Sequence, residues 1–347
     1  MKLIKTVDAV GQVLCHDVTQ IIPGEFKGPA FRKGHVITEE DIPVLLSIGK
    51  ENLYVWAMDD TMYHEDEAAA ILRDLAIGDH MTASQPSEGK IELKADCDGL
   101  FKVDSKALYL INSTPQMMIA TRHGNRPVRK GDKLAGTRII PLVIEKEKME
   151  DLVRRTKEAT GGKPVLKLLP FVHKKIGIVT TGSEVYKGRI KDSFTPVLEK
   201  KLAVYDTEVI GHETTDDDDR MTTRAIMKLV EAGADIVLCT GGMSVDPDDR
   251  TPLAIRNTGA DIVTYGAPVL PGAMFLLSYL REKHAVICGL PGCVMYAKRT
   301  VFDLVLPRLM ADDPVTFEEL AGLGEGGLCL NCDCCTFPNC GFGKGVV

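Results

Sequence analysis

The second half of the chain alternates short runs of β-branched apolar residues with segments whose apolar residues recur every three or four positions. Such runs predict strands, and such segments predict amphipathic helices. The predicted strands are Ile176–Thr181, Thr207–Gly211, Asp235–Cys239, Asp261–Thr264 and Ala285–Cys288, and the predicted helices are Thr195–Leu202, Arg220–Glu231, Thr251–Arg256 and Val294–Leu309. Because strands alternate with helices, we expect an α/β fold in which a parallel sheet carries helices on both faces.

The first 145 residues show shorter apolar runs and little helical periodicity. Basic residues followed by glycine, at 31–34 and again at 128–131, precede β-branched residues and predict turns between short strands. We also predict a helix after an N-cap at Thr38, a strand over Asn52–Trp56, a helix over His64–Leu75 and a polar loop over 78–90. Residues 1–145 are therefore expected to form a β-rich module of one or two subdomains.

Changes in composition suggest the remaining domain boundaries. Residues 146–170 begin with a strongly charged stretch that ends at the glycine pair 161–162, which predicts a solvated helix and a linker. Residues 171–312 hold the α/β pattern. Residues 313–347 are rich in glycine and cysteine, and their start, around 322–327, is expected to be flexible.

The overall composition excludes several classes of protein. The chain has 347 residues, 44% of them hydrophobic and 26% charged, as in globular proteins of two or three domains. With 42 basic and 49 acidic residues the net charge is −7, so no positive field attracts nucleic acid or an anionic membrane. No apolar run approaches the roughly 20 residues of a membrane span. The first residues do not resemble a signal peptide, so we expect a cytoplasmic protein.

Candidate ligand-binding residues follow three of the predicted strands, and ligands of open α/β sheets bind at the carboxyl ends of the strands. In the first loop a glycine permits a tight turn, and hydroxyls and carboxylates can face a ligand. These candidates are Thr181, Gly182, Ser183, Glu184, Asp192 and Ser193. Ordinary helix caps would explain this loop equally well.

The second loop gives the strongest local signal. A glycine pair can turn backbone N–H groups toward a phosphate. Thr251 is predicted to be the N-cap, and Pro252 a first-turn residue, of a helix whose N-terminus points to the same place. Carboxylates beside an anion site fit a bridging divalent cation such as Mg²⁺. The expected binding residues are Gly241, Gly242, Met243, Ser244 and Thr251, and the expected catalytic carboxylates are Asp246, Asp248 and Asp249, with Asp249 as the main Mg²⁺ ligand.

The third loop contains Pro291 and Gly292 and leads into the long predicted helix. Its glycine allows a close approach of the backbone, although a tight turn alone would also account for it. The acidic run 216–219 precedes another helix, where acids complement the helix dipole. One member of this run, Asp217, is a candidate to face the ligand.

At these loops the chain resembles the molybdopterin-binding domain of molybdenum cofactor biosynthesis proteins. The matching segments occur in family order and are TTGSEV (180–185), GRIKDS (188–193), DDD (216–218), GGMSVDPDDRTP (241–252), PG (271–272) and GLPG (289–292). The resemblance implies a three-layer α/β/α domain with a mostly parallel sheet. It also implies binding of molybdopterin or adenylylated molybdopterin, and it adds Pro271 and Gly272 to the expected binding residues.

Features of three branches of this family are mixed in the chain. TGSEV with GRIKDS resembles the branch that inserts molybdate into adenylylated molybdopterin, whereas Pro247, Asp249 and Thr251-Pro252 resemble the adenylyltransferases. Pro247-Asp248-Asp249 with Thr251 also resembles the competence-damage-inducible branch, whose members process nucleotides. The acidic-Ser-Met-Asp-Gly-Tyr-Ala signature of molybdotransferases is absent from residues 1–145, Leu270 and Ala273 replace basic residues, and Cys293 replaces an asparagine.

Three hypotheses for function therefore stay open. The first is a Mg²⁺-dependent transferase of a nucleotidyl group or molybdate, and the second is a non-catalytic carrier or maturation factor that delivers the cofactor to a molybdoenzyme acceptor. The third is a nucleotide pyrophosphatase. In each case we expect a homo-oligomer.

Five cysteines lie within twelve residues near the C-terminus, namely Cys329, Cys332, Cys334, Cys335 and Cys340. The Cys-x2-Cys spacing suits thiolate ligation of zinc or of an iron–sulfur cluster. A metal-free tail, a copper site, and a thiolate site that passes on a thiol-containing cofactor are alternatives. His173 and His212 are expected to be isolated, ordinary histidines.

Overall fold

The computed structural model describes residues 2–22, 24–55 and 60–345. The chain divides into two compact units. The N-terminal unit comprises Met1–Asp96, Val103–Arg122 and Gly131–Lys167, and the C-terminal unit comprises Cys97–Lys102, His123–Lys130 and Leu168–Val347. In the described part of the chain, no helix has both the length and the apolar character needed to cross a bilayer.

Short antiparallel strands dominate the first 170 residues. The elements are β1 (Lys2–Lys5), β2 (Val18–Ile22), β3 (Phe26–Phe31), α1 (Asp41–Ser47), β4 (Asn52–Val55), β5 (Met62–His64), α2 (Glu65–Ala76), β6 (Met81–Ala83), β7 (Lys90–Ala95), β8 (Gly99–Val103), α3 (Ser105–Asn112), β9 (Met117–Thr121), β10 (Arg126–Val128), β11 (Lys133–Ile139), β12 (Val143–Glu145), α4 (Lys146–Thr160) and β13 (Leu166–Pro170). In the N-terminal unit, β6-β7-β11-β9 form one sheet, and β1-β4, β2-β3 and β12-β5 form pairs. The β-rich character predicted for this region is confirmed.

Two local predictions in this region need correction. Helix α1 begins at Asp41, whose carboxylate accepts hydrogen bonds from the N–H and hydroxyl of Thr38, so Thr38 is not its N-cap. The predicted polar loop over 78–90 contains β6, which pairs with β7. Trp56, the last residue of the strand predicted over Asn52–Trp56, lies outside the described residues.

The C-terminal unit is built on a six-stranded sheet. Its further elements are β14 (Lys174–Thr181), α5 (Ser183–Tyr186), α6 (Thr195–Leu202), β15 (Thr207–Thr215), α7 (Asp219–Glu231), β16 (Ile236–Thr240), α8 (Thr251–Asn257), β17 (Asp261–Tyr265), β18 (Leu276–Leu280), β19 (Ala285–Leu290), α9 (Val301–Met310) and α10 (Phe317–Ala321). The strand order is β15-β14-β16-β19-β18-β17. Strand β14 runs parallel to β15 and β16, and β16 runs parallel to β19. Strand β18 runs antiparallel to its two neighbours, β19 and β17. The fold is therefore α/β with a mostly parallel sheet, as predicted.

Side chains of successive strand residues point to opposite faces of a sheet, so the apolar residues of these strands lie on both faces. Helices pack on each of the two faces. On one face Ile178 and Leu238 share a core with Leu198 of α6 and Phe302 of α9. On the other face Val179 and Val237 share a core with residues of α7 and α8. The central strand β16 is buried along its whole length, which agrees with its continuous apolar sequence. These two cores give the domain its three layers.

One predicted helix of this unit is divided in the structure. The sequence predicts a single helix over Val294–Leu309, but a 3-10 turn covers Gly292–Met295 and α9 begins only at Val301. A capping box explains the new start, because Asp303 accepts a hydrogen bond from the Thr300 N–H at 2.8 Å. The interruption leaves residues 296–300 as a connection between the sheet edge and α9.

Candidate functional site

The order of the strands defines the position of the candidate site. The chain passes from β14 to β15 on one side, and then crosses to β16 on the other side of β14. Such a reversal opens a crevice at the carboxyl ends of the two central strands, which is where ligands of open α/β sheets bind. Thr181 ends β14 and Thr240 ends β16 beside this crevice.

Buried threonines fix the two loops that leave these strands. The Thr181 hydroxyl donates to the main-chain oxygen of Thr240 at 3.1 Å and lies 3.1 Å from the hydroxyl of Thr251. The Thr251 hydroxyl donates to the Gly241 oxygen at 2.8 Å. Thr251 is the first residue of α8, after Arg250 at the N-cap position, so its hydroxyl holds the glycine loop and does not cap the helix as predicted.

Gly241 and Gly242 both have positive φ angles, of 82° and 54°. A Cβ atom at position 241 would lie 2.3 Å from the Thr181 oxygen, and one at 242 would lie 2.9 Å from the Thr251 hydroxyl. Glycine is therefore required at both positions, because a side chain would collide with the end of β14 at position 241 and with the start of α8 at position 242. The following Met243 is buried, and its sulfur and methyl group pack against Gly289.

The first loop is held by the acidic run that follows β15. Gly182 donates its N–H to the oxygen of Thr215, and Ser183 donates its N–H to a carboxylate oxygen of Asp217 at 3.0 Å. Asp217 is thus brought to the first loop. The side chain of Glu184 is exposed.

Asp192 accepts hydrogen bonds from several groups at the start of α6. Its carboxylate accepts from the Phe194 N–H at 2.7 Å, the Thr180 hydroxyl at 3.1 Å and the Thr195 hydroxyl. Burial acts to raise the pKa of Asp192, but these hydrogen bonds outweigh it and hold the pKa below its ordinary value. Ser193 is exposed, and its hydroxyl lies 3.7 Å from the Met295 sulfur in the third loop.

The acidic loop is more exposed than the glycine pair. The side chains of Ser244, Asp246 and Asp248 are exposed, and Asp249 is half-buried and accepts the Asp246 N–H at 3.0 Å. Within residues 2–22, 24–55 and 60–345, no three His, Cys, Asp or Glu side chains are arranged so as to hold a metal ion. The carboxylates of this loop are therefore near one another in sequence but do not form a preassembled cation site.

The two Pro-Gly segments differ in their surroundings. Gly272 has a φ angle of 128°, and a Cβ atom there would lie 2.7 Å from the Val301 side chain. The Pro271 oxygen accepts the Val301 N–H at 3.2 Å, so this segment is tied to the start of α9. In the third loop Pro291 is buried, whereas Gly292 is exposed and opens the 3-10 turn.

Sequence reasoning missed two polar residues near the loops. His212 was expected to be isolated, but its Nε2 lies 2.9 Å from the Thr180 hydroxyl and 3.5 Å from the Asp192 carboxylate. Strand β15 extends four residues beyond Gly211, its predicted end, so His212 lies within the strand and beside β14. Tyr265, at the end of β17, donates its hydroxyl to the oxygens of Met243 and Ser244 at 3.0 and 3.1 Å. Burial, followed by the Asp249 charge, raises the pKa of Tyr265.

The cysteine-rich segment is part of the C-terminal unit and is not a loose end. Phe342 is 5% exposed within the core that contains Phe302, and Leu270 and Leu328 form a parallel bridge. A cavity of 220 Å³ opens between this segment and residues 298–299. The cysteines that line it are Cys329, Cys332, Cys335 and Cys340, and all five tail cysteines are free of disulfide bonds.

The fold and the crevice are those of an α/β domain with a site at its topological reversal, and known proteins resemble this part of the chain. Residues 177–311 match the family described as "Probable molybdopterin binding domain". This part of the chain is therefore similar to the molybdopterin-binding domains of molybdenum cofactor biosynthesis proteins. Residues 3–57 match a separate family, "Domain of unknown function (DUF8806)".

Individual relatives cover parts of the chain. A molybdopterin molybdenumtransferase of Synechococcus elongatus is 23% identical over 218 residues, which cover 60% of this chain and 51% of the relative. A CinA-like protein of Desulfotalea psychrophila is 30% identical over 116 residues, or 33% of this chain and 26% of the relative. The chain thus spans about half the length of the molybdenumtransferase and about a quarter of the length of the CinA-like protein. The molybdopterin biosynthesis enzyme MoaB of Thermus thermophilus is 22% identical and aligns over 41% of this chain and 98% of its own, with a TM-score of 0.33.

Proposed function

We propose that the crevice between β14 and β16 binds molybdopterin or adenylylated molybdopterin during molybdenum cofactor synthesis. The observation that carries the proposal is the meeting of the loops after β14 and β16 at the topological reversal of a domain that matches this family. The 241–244 loop would present main-chain N–H groups to the phosphate, and the Ser183 hydroxyl would contact the ligand from the first loop. Thr181 and Thr251 would keep these loops in place through their buried hydrogen bonds.

The acidic loop fits a magnesium ion by its chemistry. Carboxylate oxygens are the ligands that Mg²⁺ prefers, and this ion keeps several waters when few carboxylates bind it. Asp249 and either Asp246 or Asp248 would hold the ion, because they follow the glycine loop directly and the last two are exposed. A bound Mg²⁺ would offset the negative charge of the phosphate. Tyr265 would position this loop through its bonds to Met243 and Ser244.

The residues around the crevice favour different outcomes after binding. The acidic loop supports transfer chemistry, either insertion of molybdate with release of AMP or adenylyl transfer. The apolar Leu270 and Ala273 beside Pro271-Gly272 supply no positive charge to an anionic substrate, which supports a carrier that delivers the cofactor to a molybdoenzyme. The similarity to a CinA-like protein supports testing nucleotide pyrophosphatase activity as well.

An anaerobic titration of the purified full chain with molybdopterin and with its adenylylated form, each with and without Mg²⁺, tests the proposal. Tight binding of the adenylylated form that requires Mg²⁺, with AMP released on addition of molybdate, is expected of a molybdotransferase. Binding without turnover is expected of a carrier. Failure to bind either form would refute the pterin site, and cleavage of ADP-ribose would then assign the crevice to nucleotides.

Two matched variants locate the cation in this assay. Asp249→Asn removes one carboxylate charge from the acidic loop, so we expect it to abolish the effect of Mg²⁺ on binding. Asp206→Asn removes one charge from an exposed aspartate that pairs with His173 at 3.0 Å, and it should leave that effect unchanged. An equal Mg²⁺ response in both variants would exclude Asp249 as the ligand.

A further inference from the structure

The cavity in the cysteine-rich segment selects four of the five clustered cysteines. Cys329, Cys332, Cys335 and Cys340 line it, whereas Cys334 does not. The four selected residues have the spacing Cys-x2-Cys-x2-Cys-x4-Cys. Three cysteines at intervals of two residues bind one [4Fe–4S] cluster in the bacterial ferredoxin run, whose fourth cysteine binds a second cluster. Here Cys340 lines the same cavity as the other three and can complete their set. The sequence alone leaves five candidates, and the fold reduces them to one complete ligand set.

Positive charge is concentrated around the same cavity. Lys298 and Arg299 line it, and the guanidinium groups of Arg299 and Arg126 lie 4.7 and 5.6 Å from the ring centre of Phe337, which is also part of the wall. Arg126 is only 5% exposed. Buried charge is costly unless it is compensated. Arg299 is paired with the Asp303 carboxylate at 3.0 Å, so Arg126 is the cation that requires further negative charge nearby.

The hydrogen bonds of Arg126 leave that requirement unmet. Arg126 donates to the main-chain oxygen of Phe342, but its Nε atom is buried and has no partner among the described residues. The Nε atom of Arg299 is likewise buried without a partner in the described part of the chain. Native proteins rarely leave such donors unsatisfied. A negatively charged occupant of the cavity would supply the missing compensation.

We propose that Cys329, Cys332, Cys335 and Cys340 bind one [4Fe–4S] cluster in this cavity. The four thiols lose their protons on binding, and the thiolate-ligated cluster is an anion that faces Lys298 and the two arginines. The buried Phe342 and the half-buried Phe337 form the apolar side of the wall and would limit the access of water to the cluster on that side.

A cluster agrees better with the geometry than a single zinc ion does. Four thiolates on one zinc must converge within one coordination shell, at about 2.3 Å from the metal. No such convergence of three ligands exists in the part of the chain that the structure describes. In a cubane cluster each thiolate binds a different iron atom, and the inorganic core fills the space between them. Cysteines spread around a cavity of 220 Å³ suit the second arrangement.

Hydrogen bonds fix the main chain around the cavity. Lys298 donates to the oxygens of Cys332 and Asp333 at 3.0 and 3.1 Å, and Leu328 bridges to Leu270. The cluster would therefore bind within a segment that is tied to the rest of its unit. This inference is independent of the pterin site, because its ligands lie outside the loops that form the crevice.

Anaerobic reconstitution of the full chain with equal amounts of ferrous and ferric iron and with sulfide tests the proposal, because the oxidised core contains two irons of each valence. We expect roughly four iron atoms and four acid-labile sulfides per chain, a broad charge-transfer absorption in the visible range, and an electron paramagnetic resonance signal after reduction with dithionite. Zinc bound tightly without sulfide, or no metal retained after desalting, would overturn the proposal. Pterin binding measured on the same samples reports separately on the crevice.

A pair of serine variants provides the matched control. Cys332 and Cys334 are both exposed cysteines of the same segment, so replacing either should not disturb folding. Cys332→Ser is expected to lose most of the iron and sulfide, and Cys334→Ser should retain the wild-type content. Equal retention in both variants would refute the selected ligand set, and circular dichroism of both confirms that they are folded.

Discussion

Gly241 illustrates how much of the site depends on single residues. Its φ angle is 82°, and a Cβ atom there would lie 2.3 Å from the Thr181 oxygen, so no side chain fits. The sequence marks Gly241 and Gly242 as candidates, since glycines after a predicted strand favour a tight loop. It does not reveal the contact with Thr181, because that residue lies on another strand and the two meet only through the order of the sheet.

Gly241→Ala tests this constraint. A residue with a side chain at positive φ costs about 1–2 kcal/mol, and overpacking against Thr181 should add roughly 2 kcal/mol. Gly259→Ala is the matched control, because Gly259 has a φ angle of 80° and nothing within 4 Å of its Cβ position. Hydrogen exchange of β14 and β16 amides measures both losses. Equal destabilisation would show that the backbone angle alone matters.

Glu65, at the first position of α2, predicts a pH dependence of the N-terminal unit. It is 9% exposed, and burial, reinforced by the Asp66 charge, raises its pKa from 4.5 to about 7, while Lys33 and Arg138 act in the opposite direction. A pKa raised on folding means that the folded state binds more protons, so the free energy of unfolding falls as pH rises from 4.5 to about 7. The expected loss is on the order of 3 kcal/mol.

Glu65→Gln removes this titration and should be more stable than the wild type above pH 7, with the difference vanishing toward pH 4.5. Urea-induced unfolding over this pH range measures it. Asp66→Asn is a control of opposite sign, because hydrogen bonds from Gly89 and Lys33 outweigh burial and lower the Asp66 pKa. That variant should be less stable than wild type at neutral pH and approach it as the pH falls below 3.8. Parallel pH curves for wild type and Glu65→Gln would contradict the prediction.

At the scale of elements, continuous runs of β-branched residues predicted strands correctly, whereas mixed apolar runs did not distinguish strand from helix. The sequence of β16 is apolar throughout and predicts a buried strand, which the structure confirms. Strand β18 was missed because Leu276–Leu280 lies in an apolar stretch without the periodicity that separates strand from helix. The division before α9 had a readable signal, since Thr300 and Asp303 have the spacing of a capping box.

Asp303 combines a capping role in α9 with two ion pairs, and its replacement tests their joint strength. It accepts the Thr300 N–H, and its carboxylate, 5% exposed, lies 2.8 Å from the Lys201 ammonium and 3.0 Å from the Arg299 guanidinium. Asp303→Asn leaves both cations without this charged partner, so we expect a loss of about 3 kcal/mol in the free energy of unfolding. Urea-induced unfolding followed by circular dichroism measures this loss.

An exposed ion pair of the same unit is the control for this measurement. Asp261 and Arg281 lie 2.7 Å apart, but their side chains are 64% and 80% exposed. Because solvent screens such a pair, Asp261→Asn should change stability by less than about 1 kcal/mol. Comparable losses in the two variants would mean that burial does not set the strength of the Asp303 pair.

At the scale of the whole molecule, the sequence predicts the α/β domain but not the place of the C-terminal segment. Composition alone suggests a flexible glycine-rich start and a separate cysteine tail. In the structure, Gly327 packs so closely that a Cβ atom would lie 2.4 Å from the Pro268 oxygen, and Phe342 enters the main core. Periodicity cannot detect such packing, because one phenylalanine among glycines and cysteines forms no repeating pattern.

Phe342→Ala tests whether this segment stabilises the C-terminal unit. The ring is 5% exposed and belongs to the same core as Phe302, so its removal should cost about 3 kcal/mol. Phe317→Ala is the matched control, because Phe317 is 58% exposed and its loss should cost less than about 0.5 kcal/mol. Hydrogen exchange in β16 and β19, measured before any metal is added, compares the two variants. Faster exchange of both strands in Phe342→Ala alone is expected, because the residue closes the core that these strands share. Unchanged exchange would mean that the segment folds on the surface of a domain that is complete without it.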